Sequence, residues 1–358
     1  MARLGDVATY INGFAFKPTD WSENGLPIIR IQDLTGTSYQ TNRFNGKYHP
    51  KYEINNGDVL ISWSASLGVY IWKGEKAVLN QHIFKVIFDK TEINKSFFVH
   101  QVQNILENAA SEAHGATMKH LTKPVFDALP FYLPDVDTQK AIAEILDNVS
   151  NLISLHKQQL TKLDELVKAR FVELFGEVEN LIHSWDVKRF AEVTINFDST
   201  RKPVKDADRQ KMQGQYPYYG ATGIVDHVND YRIDGTFLLI SEDGKALEFR
   251  NKDIAFIASG KIWVNNHAHV LQCTEDIEMI FLMYYMNFRN ISDWVTGIDQ
   301  KKLNRANMDK IPIGLPPIEL QKQFAAFVEQ TDKSKSAIQK SLDKLEILKK
   351  SLMQKYFG

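Results

Sequence analysis

With 358 residues, the chain exceeds the size at which a single hydrophobic core stops growing, so two or more domains are expected. Hydrophobic residues at 44%, charged residues at 24% and 11 prolines lie near globular averages and exclude a disordered or collagen-like chain. A formal net charge of −1 excludes bulk attraction to nucleic acid, so any such binding has to come from local basic patches.

The single cysteine, Cys273, excludes an intrachain disulfide and a cysteine-based zinc site, and reads as a core residue in a reducing cytoplasm. No run of 18 apolar residues occurs, and MARLGDVATY lacks the basic start and apolar stretch of a signal peptide. The expected location is cytoplasmic.

Residues 1–132 read as α+β. PIIRIQDL, GDVLISWSASLGVYIWKG and AVLNQHIFKVIF are strand-like runs between turn signals, and SFFVHQVQNILENAASEA has a helical pattern. A glycine turn with basic residues, Gly115 to Lys123, precedes Leu133-Pro134. Proline disfavours a helical predecessor and Asp135 and Asp137 suit the first-turn dipole, so a long helix is expected to start there. Alternate steps of four and three from Ile142 pass Leu146, Val149, Ile153, His156, Leu160, Leu163, Val167, Arg170 and Leu174, eight apolar residues in ten. His156 and Arg170 are expected to hydrogen-bond or snorkel at that seam. Phe175-Gly176 is the stop.

Residues 185–314 repeat the order: WDVKRFAEVTI, YPYYGATGIVDHV, GTFLLISEDGKALEFRN, DIAFIASGKIWVNNHAHVL, then helix-like DIEMIFLMYYMNF. Gly57 to Ser62 is similar to Gly235 to Ser241, and Asn80-Gln81-His82 to Asn265-Asn266-His267. A second glycine-basic turn, Gly297 to Arg305, leads to Leu315-Pro316 and another seam: Phe324, Val328, Thr331, Lys335, Ile338, Leu342, Leu345, Lys349, Leu352 and Tyr356. Each helix should run for about 37 residues, a rod of roughly 55 Å.

Residues 115–176 align with 297–358 at a constant offset of 182, without a gap and with 18 identities in 62 positions. These include Gln139/Gln321, Lys140/Lys322 and Phe175-Gly176/Phe357-Gly358. The chain is therefore an internal duplication of an α+β domain plus a rod, with similar rods and divergent domains. Two matched seams in one chain make an intramolecular antiparallel coiled coil geometrically natural.

RLGDVATYINGFAF with GLPIIRIQDLTG and GDVLIS, then YPYYGATGIVDHV, LLISEDG and LP-x4-QK opening each rod, resemble type I restriction-modification specificity subunits over the whole chain. The resemblance implies two target recognition domains, residues 1–133 and 177–315, each reading one half of a bipartite double-stranded DNA site. It also implies helices at 134–176 and 316–358 that set the gap and dock two methyltransferase subunits, through which restriction subunits join. S-adenosylmethionine, ATP and Mg are then expected in the partner chains and no cofactor in this one. Met1 stands two residues before Arg3-Leu4-Gly5-Asp6-Val7, so an N-terminal helical extension like that of some relatives is not expected.

Lysine and arginine neutralise phosphates, which suggests Lys119, His120 and Lys123, their counterparts Lys301, Lys302 and Arg305, and the run Arg201, Lys202, Lys205 continuing to Arg209 and Lys211. Base edges need donors and acceptors at strand ends, which suggests Arg30, Gln32, Ser62, Ser64, Gln81 and His82, then Tyr218, Tyr219, Glu242, Asn266 and His267. A solvated loop or strand end is the bland alternative for each. No G-x4-G-K-S/T phosphate loop, glycine-rich cofactor loop, Asn-Pro-Pro-aromatic tetrad or H-E-x-x-H spacing occurs, so a non-catalytic chain is expected. A scaffold joining two protein-binding domains and an enzyme with an unrecognised site remain alternative readings.

Overall fold

The computed structural model describes residues 1–112 and 122–358. Lys119 and His120 lie outside the described residues. The chain forms two compact units, residues 1–157 with 340–358, and residues 158–339. The sequence suggests four consecutive segments, and each compact unit includes part of both long helices. The cuts at 157/158 and 339/340 are 182 residues apart, the offset of the repeat. Each unit takes half of each helix because those halves contribute apolar side chains to its core.

In the first unit, four antiparallel strands run in the order Thr9–Asn12, Ile83–Ile87, Val59–Ser62, Gly68–Ile71. Val59, Leu60, Ile61 and Ser62 are all buried, which explains why VLIS is a continuous rather than an alternating run. A second four-stranded sheet contains the parallel pairing of Leu26–Ile29 with Ala77–Leu79. Helix Lys95–Glu112 buries Phe97, Phe98, Val102 and Leu106 in a core that also takes Ile142, Ala143 and Leu146 from one rod and Met353 from the other.

The second unit has a six-stranded sheet ordered Thr194–Asn196, Ala268–Cys273, Ile233–Ser241, Ala255–Val264, Gln213–Gly220, Gly223–Val228. Its parallel pairing, Tyr218 with Trp263, matches Ile28 with Val78 in the first unit. The continuous strand Ala255–Val264 does here what Gly68–Ile71 and Ala77–Leu79 do separately. Helix Met279–Phe288 closes the core against Val167, Phe171, Phe175, Phe324 and Val328 of the rods.

Both rods are uninterrupted 40-residue helices, Val136–Phe175 and Ile318–Phe357, each about 60 Å long. Asp135 caps the first, accepting from the Thr138 backbone N–H and hydroxyl at 2.8 Å each. Gly176 ends it in the left-handed region, φ 86°, donating to the Val172 carbonyl. All twenty seam positions are buried or half-buried. In the first unit His156 Nε2 lies 3.1 Å from Ser341 Oγ and Lys157 pairs with Glu346. In the second, Lys335 pairs with Asp164, Arg170 sits over the Phe327 ring and Phe171 contacts Phe324. In the second unit the partner falls from 335 to 327 to 324 as the first rod rises from 164 to 170 to 171, so the two helices run antiparallel there.

The repeated glutamine has a structural cause. Gln139 is 1% exposed, donates to the Pro134 carbonyl and accepts from the Asn94 backbone N–H. Gln321, fully buried, makes the same two bonds to Pro316 and Glu278. Asn94 and Glu278 in turn accept from Phe97 and Phe281 at the start of the neighbouring helix. One buried amide thus joins the first turn of each rod to the helix packed on it.

Candidate nucleic-acid interface

In the first unit the turn Asn80-Gln81-His82 is locked by three backbone bonds: Asn80 to the Ile29 carbonyl, Gln81 to Phe14, and Trp63 to His82. The turn therefore faces the end of Leu26–Ile29, where Arg30 opens the short helix Ile31–Thr35. Between them lies a cleft of about 290 Å³ lined by Arg30, Gln32, Thr35, Thr37, Gln81 and His82, with Ala65, Ser66 and Asn80. Ala65 and His82 have φ of 59° and 72°, two of the three non-glycine residues in the left-handed region among those described. Such backbone clusters at functional sites.

The second unit repeats the frame. Asn265 donates to the Tyr219 carbonyl and Glu242 to His267, the counterparts of the Asn80 and Trp63 bonds. The side chains on that frame differ. Where the first unit has Trp63, Ser64, Gln81 and His82, the second has Glu242, Asp243, Asn266 and His267. His82 lies against the Trp63 ring, centroids 5.0 Å apart. His267 Nδ1 is 2.9 Å from both Asp243 carboxylate oxygens, and its side chain is 47% exposed. Asn266 is also exposed.

Four base-contact candidates are turned inward or occupied by other side chains. Ser62 is fully buried with its hydroxyl on the Ser64 carbonyl, Ser64 is 4% exposed, and Tyr218 is 1% exposed with its oxygen accepting from Val204 N–H. Glu242 is held inside by Arg201 and by Lys302 at 3.0 Å. Burial would raise its carboxyl, but the bonds from Arg201 and Lys302 hold it below the usual range. The same bonds occupy Arg201, and a phosphate would have to displace them. Beneath them, His269 donates to the Leu303 carbonyl and pairs with Asp198 at 2.7 Å. Burial opposes ionisation of Asp198, yet His269 and the Val270 N–H hold its carboxyl at about 2.

Tyr219 is half-buried, stacked on Phe256. Among the phosphate candidates, Lys123 pairs with Asp127 and Arg305 with Asp309 one helical turn away, and Lys301 donates to the Gly297 carbonyl. Gly297 has φ 98°, and a side chain there would strike the Gln300 carbonyl, so the turn requires glycine. Arg209 is held by Asp206 and Asp226. Lys202, Lys205 and Lys211 are exposed and make no ion pair with described residues. Asp243 orients His267 from 24 residues away, a pairing that no local sequence pattern signals.

The family model for the type I restriction modification DNA specificity domain matches residues 1–165 and again 183–347. The chain belongs to the type I restriction-modification specificity subunits. The EcoBI specificity subunit of Escherichia coli is 24% identical over 99% of this chain and 84% of its own length. A Haemophilus influenzae protein named as a type I specificity subunit is 36% identical, over 42% of this chain and only 39% of its own length. The S subunit from M. genitalium shares the fold, with TM-score 0.62 and 15% identity over 99% of this chain and 95% of that one. Both matched segments of this specificity subunit contain one copy of the hydrogen-bonded turn, at Asn80–His82 or Asn265–His267. No described helix is long and apolar enough to cross a membrane, and no described cluster of three or more His, Cys, Asp or Glu residues could hold a metal.

Proposed function

We propose that this specificity subunit reads a bipartite DNA sequence, one half per recognition domain, while its paired helices set the gap and dock two methyltransferase subunits. Restriction subunits join through those methyltransferases. The chain itself is non-catalytic, and S-adenosylmethionine, ATP and Mg belong to its partners. The observation that carries this reading is one backbone frame presented twice with different side chains: Gln81 and His82 beside Arg30 and Gln32, against Asn266 and His267 beside Asp243. Equivalent frames with unequal donors and acceptors suit two unlike half-sites. The rods support the docking role, since Leu152, Leu155, Ile347 and Leu348 remain 44%, 53%, 70% and 45% exposed on them.

The test is methylome sequencing of a host carrying this chain and its methyltransferase. The expected result is methylated adenine in a two-part motif with a fixed gap. A contiguous motif, or none, overturns the reading, as does methyl transfer by the purified chain alone.

A further inference from the structure

The hairpin Gln213–Gly220 and Gly223–Val228 carries two adjacent exposed aliphatic residues, Ile224 at 51% and Val225 at 56%. Successive strand residues ordinarily face opposite sides, so exposing both requires a cause. The cause is a bulge: Tyr219 pairs with Ile224 and Tyr218 with Asp226, leaving Val225 unopposed. Bulges re-aim side chains next to functional sites. A Cβ on Gly220 would lie 2.8 Å from Val225 Cγ1 and 3.6 Å from Asn265 Nδ2, so Val225 lies over this glycine, beside the Asn265–His267 turn.

The segment packed on the hairpin is basic. Residues 201–211 hold five basic and two acidic side chains. Val204 bonds Tyr218, Lys202 N–H donates to the Val264 carbonyl, and Arg209 uses up Asp206 and Asp226. Lys202, Lys205 and Lys211 are left to face solvent. An apolar pair beside the exposed Asn266 and His267, on a hairpin whose packed segment leaves Lys202, Lys205 and Lys211 exposed, suits a nucleic acid, whose bases are apolar and whose backbone is anionic, better than an apolar protein surface.

We propose that Ile224 and Val225 make a direct apolar contact with bases of the half-site read by the second domain. This rests on the DNA-reading function above and adds a contact that hydrogen-bond matching does not identify. The contacted surface is either a thymine methyl group or the face of an opened base step.

The experiment compares the wild-type methyltransferase complex with one carrying Ile224→Ser and Val225→Ser, on a duplex bearing the motif read from the wild-type methylome. The expected result is about tenfold weaker binding, an unchanged melting temperature, and recovery with Ile224→Leu and Val225→Ile. Thymine-to-uracil replacement that weakens only the wild type supports the methyl contact. A 2-aminopurine signal in that half-site, lost in the serine variant, supports the opened step. Unchanged affinity in the serine variant overturns the inference while leaving the function intact. So does loss of a methyltransferase subunit from the variant by native mass measurement, since the hairpin would then be a protein surface. A wild-type complex with no bipartite motif overturns both.

Discussion

Single buried groups decide more of this structure than their number suggests. Gln139 and Gln321, both buried, each satisfy a backbone donor and a backbone carbonyl. Replacing either by alanine leaves those groups unpaired, and a loss of about 1–3 kcal/mol is expected from urea unfolding. Asp198 gives a pH signature. Its folded carboxyl is held at about 2, below the unfolded value, so its contribution is complete above the unfolded value and lost as pH falls from about 4 to 2. Asp198→Asn should flatten the dependence of the urea midpoint on pH in that window; equal slopes would refute the assignment. Cys273 is the converse case: burial pushes its thiol up to about 12, so alkylation of the native chain should be far slower than in denaturant.

At the scale of elements, the rods were the most legible part of the sequence, because heptad spacing and burial are the same fact seen twice. All seam positions are covered, including the polar ones: His156 meets Ser341, Arg170 covers Phe327 and Lys335 pairs with Asp164. Inserting one heptad at equivalent positions of both helices adds about 10 Å. If the helices act as the ruler, the methylome gap should lengthen by roughly three base pairs with both half-motifs unchanged. An unchanged gap would refute that role. The sheets were less legible. The order of runs was readable, but not that Ala255–Val264 would be continuous where Gly68–Ile71 and Ala77–Leu79 are separate.

At the scale of the whole molecule, the duplication predicts modular behaviour. Exchanging residues 185–314 for those of a relative should change one half of the methylated motif and leave the other and the gap intact, and changes in both halves would count against two independent readers. The modularity has a limit visible in the cores: Phe171, Phe175 and Phe324 of the rods pack with Phe281 of the second domain, so an exchange must keep that contact surface.

The sequence by itself determined the duplication, the two long helices, their seams and the order of elements, because these follow from periodicities local to the chain. It also placed the two Asn-x-His turns correctly, since strand ends flanking a recurrent tripeptide are local signals. Tertiary structure alone decided which polar residues at those ends are available. Ser62 and Tyr218 turn inward, Arg201 is taken by Glu242 from 41 residues away, and a bulge turns Val225 outward. It also decided that each compact unit takes half of both rods. Those outcomes depend on partners distant in sequence, and no local pattern encodes which distant charge or strand will arrive.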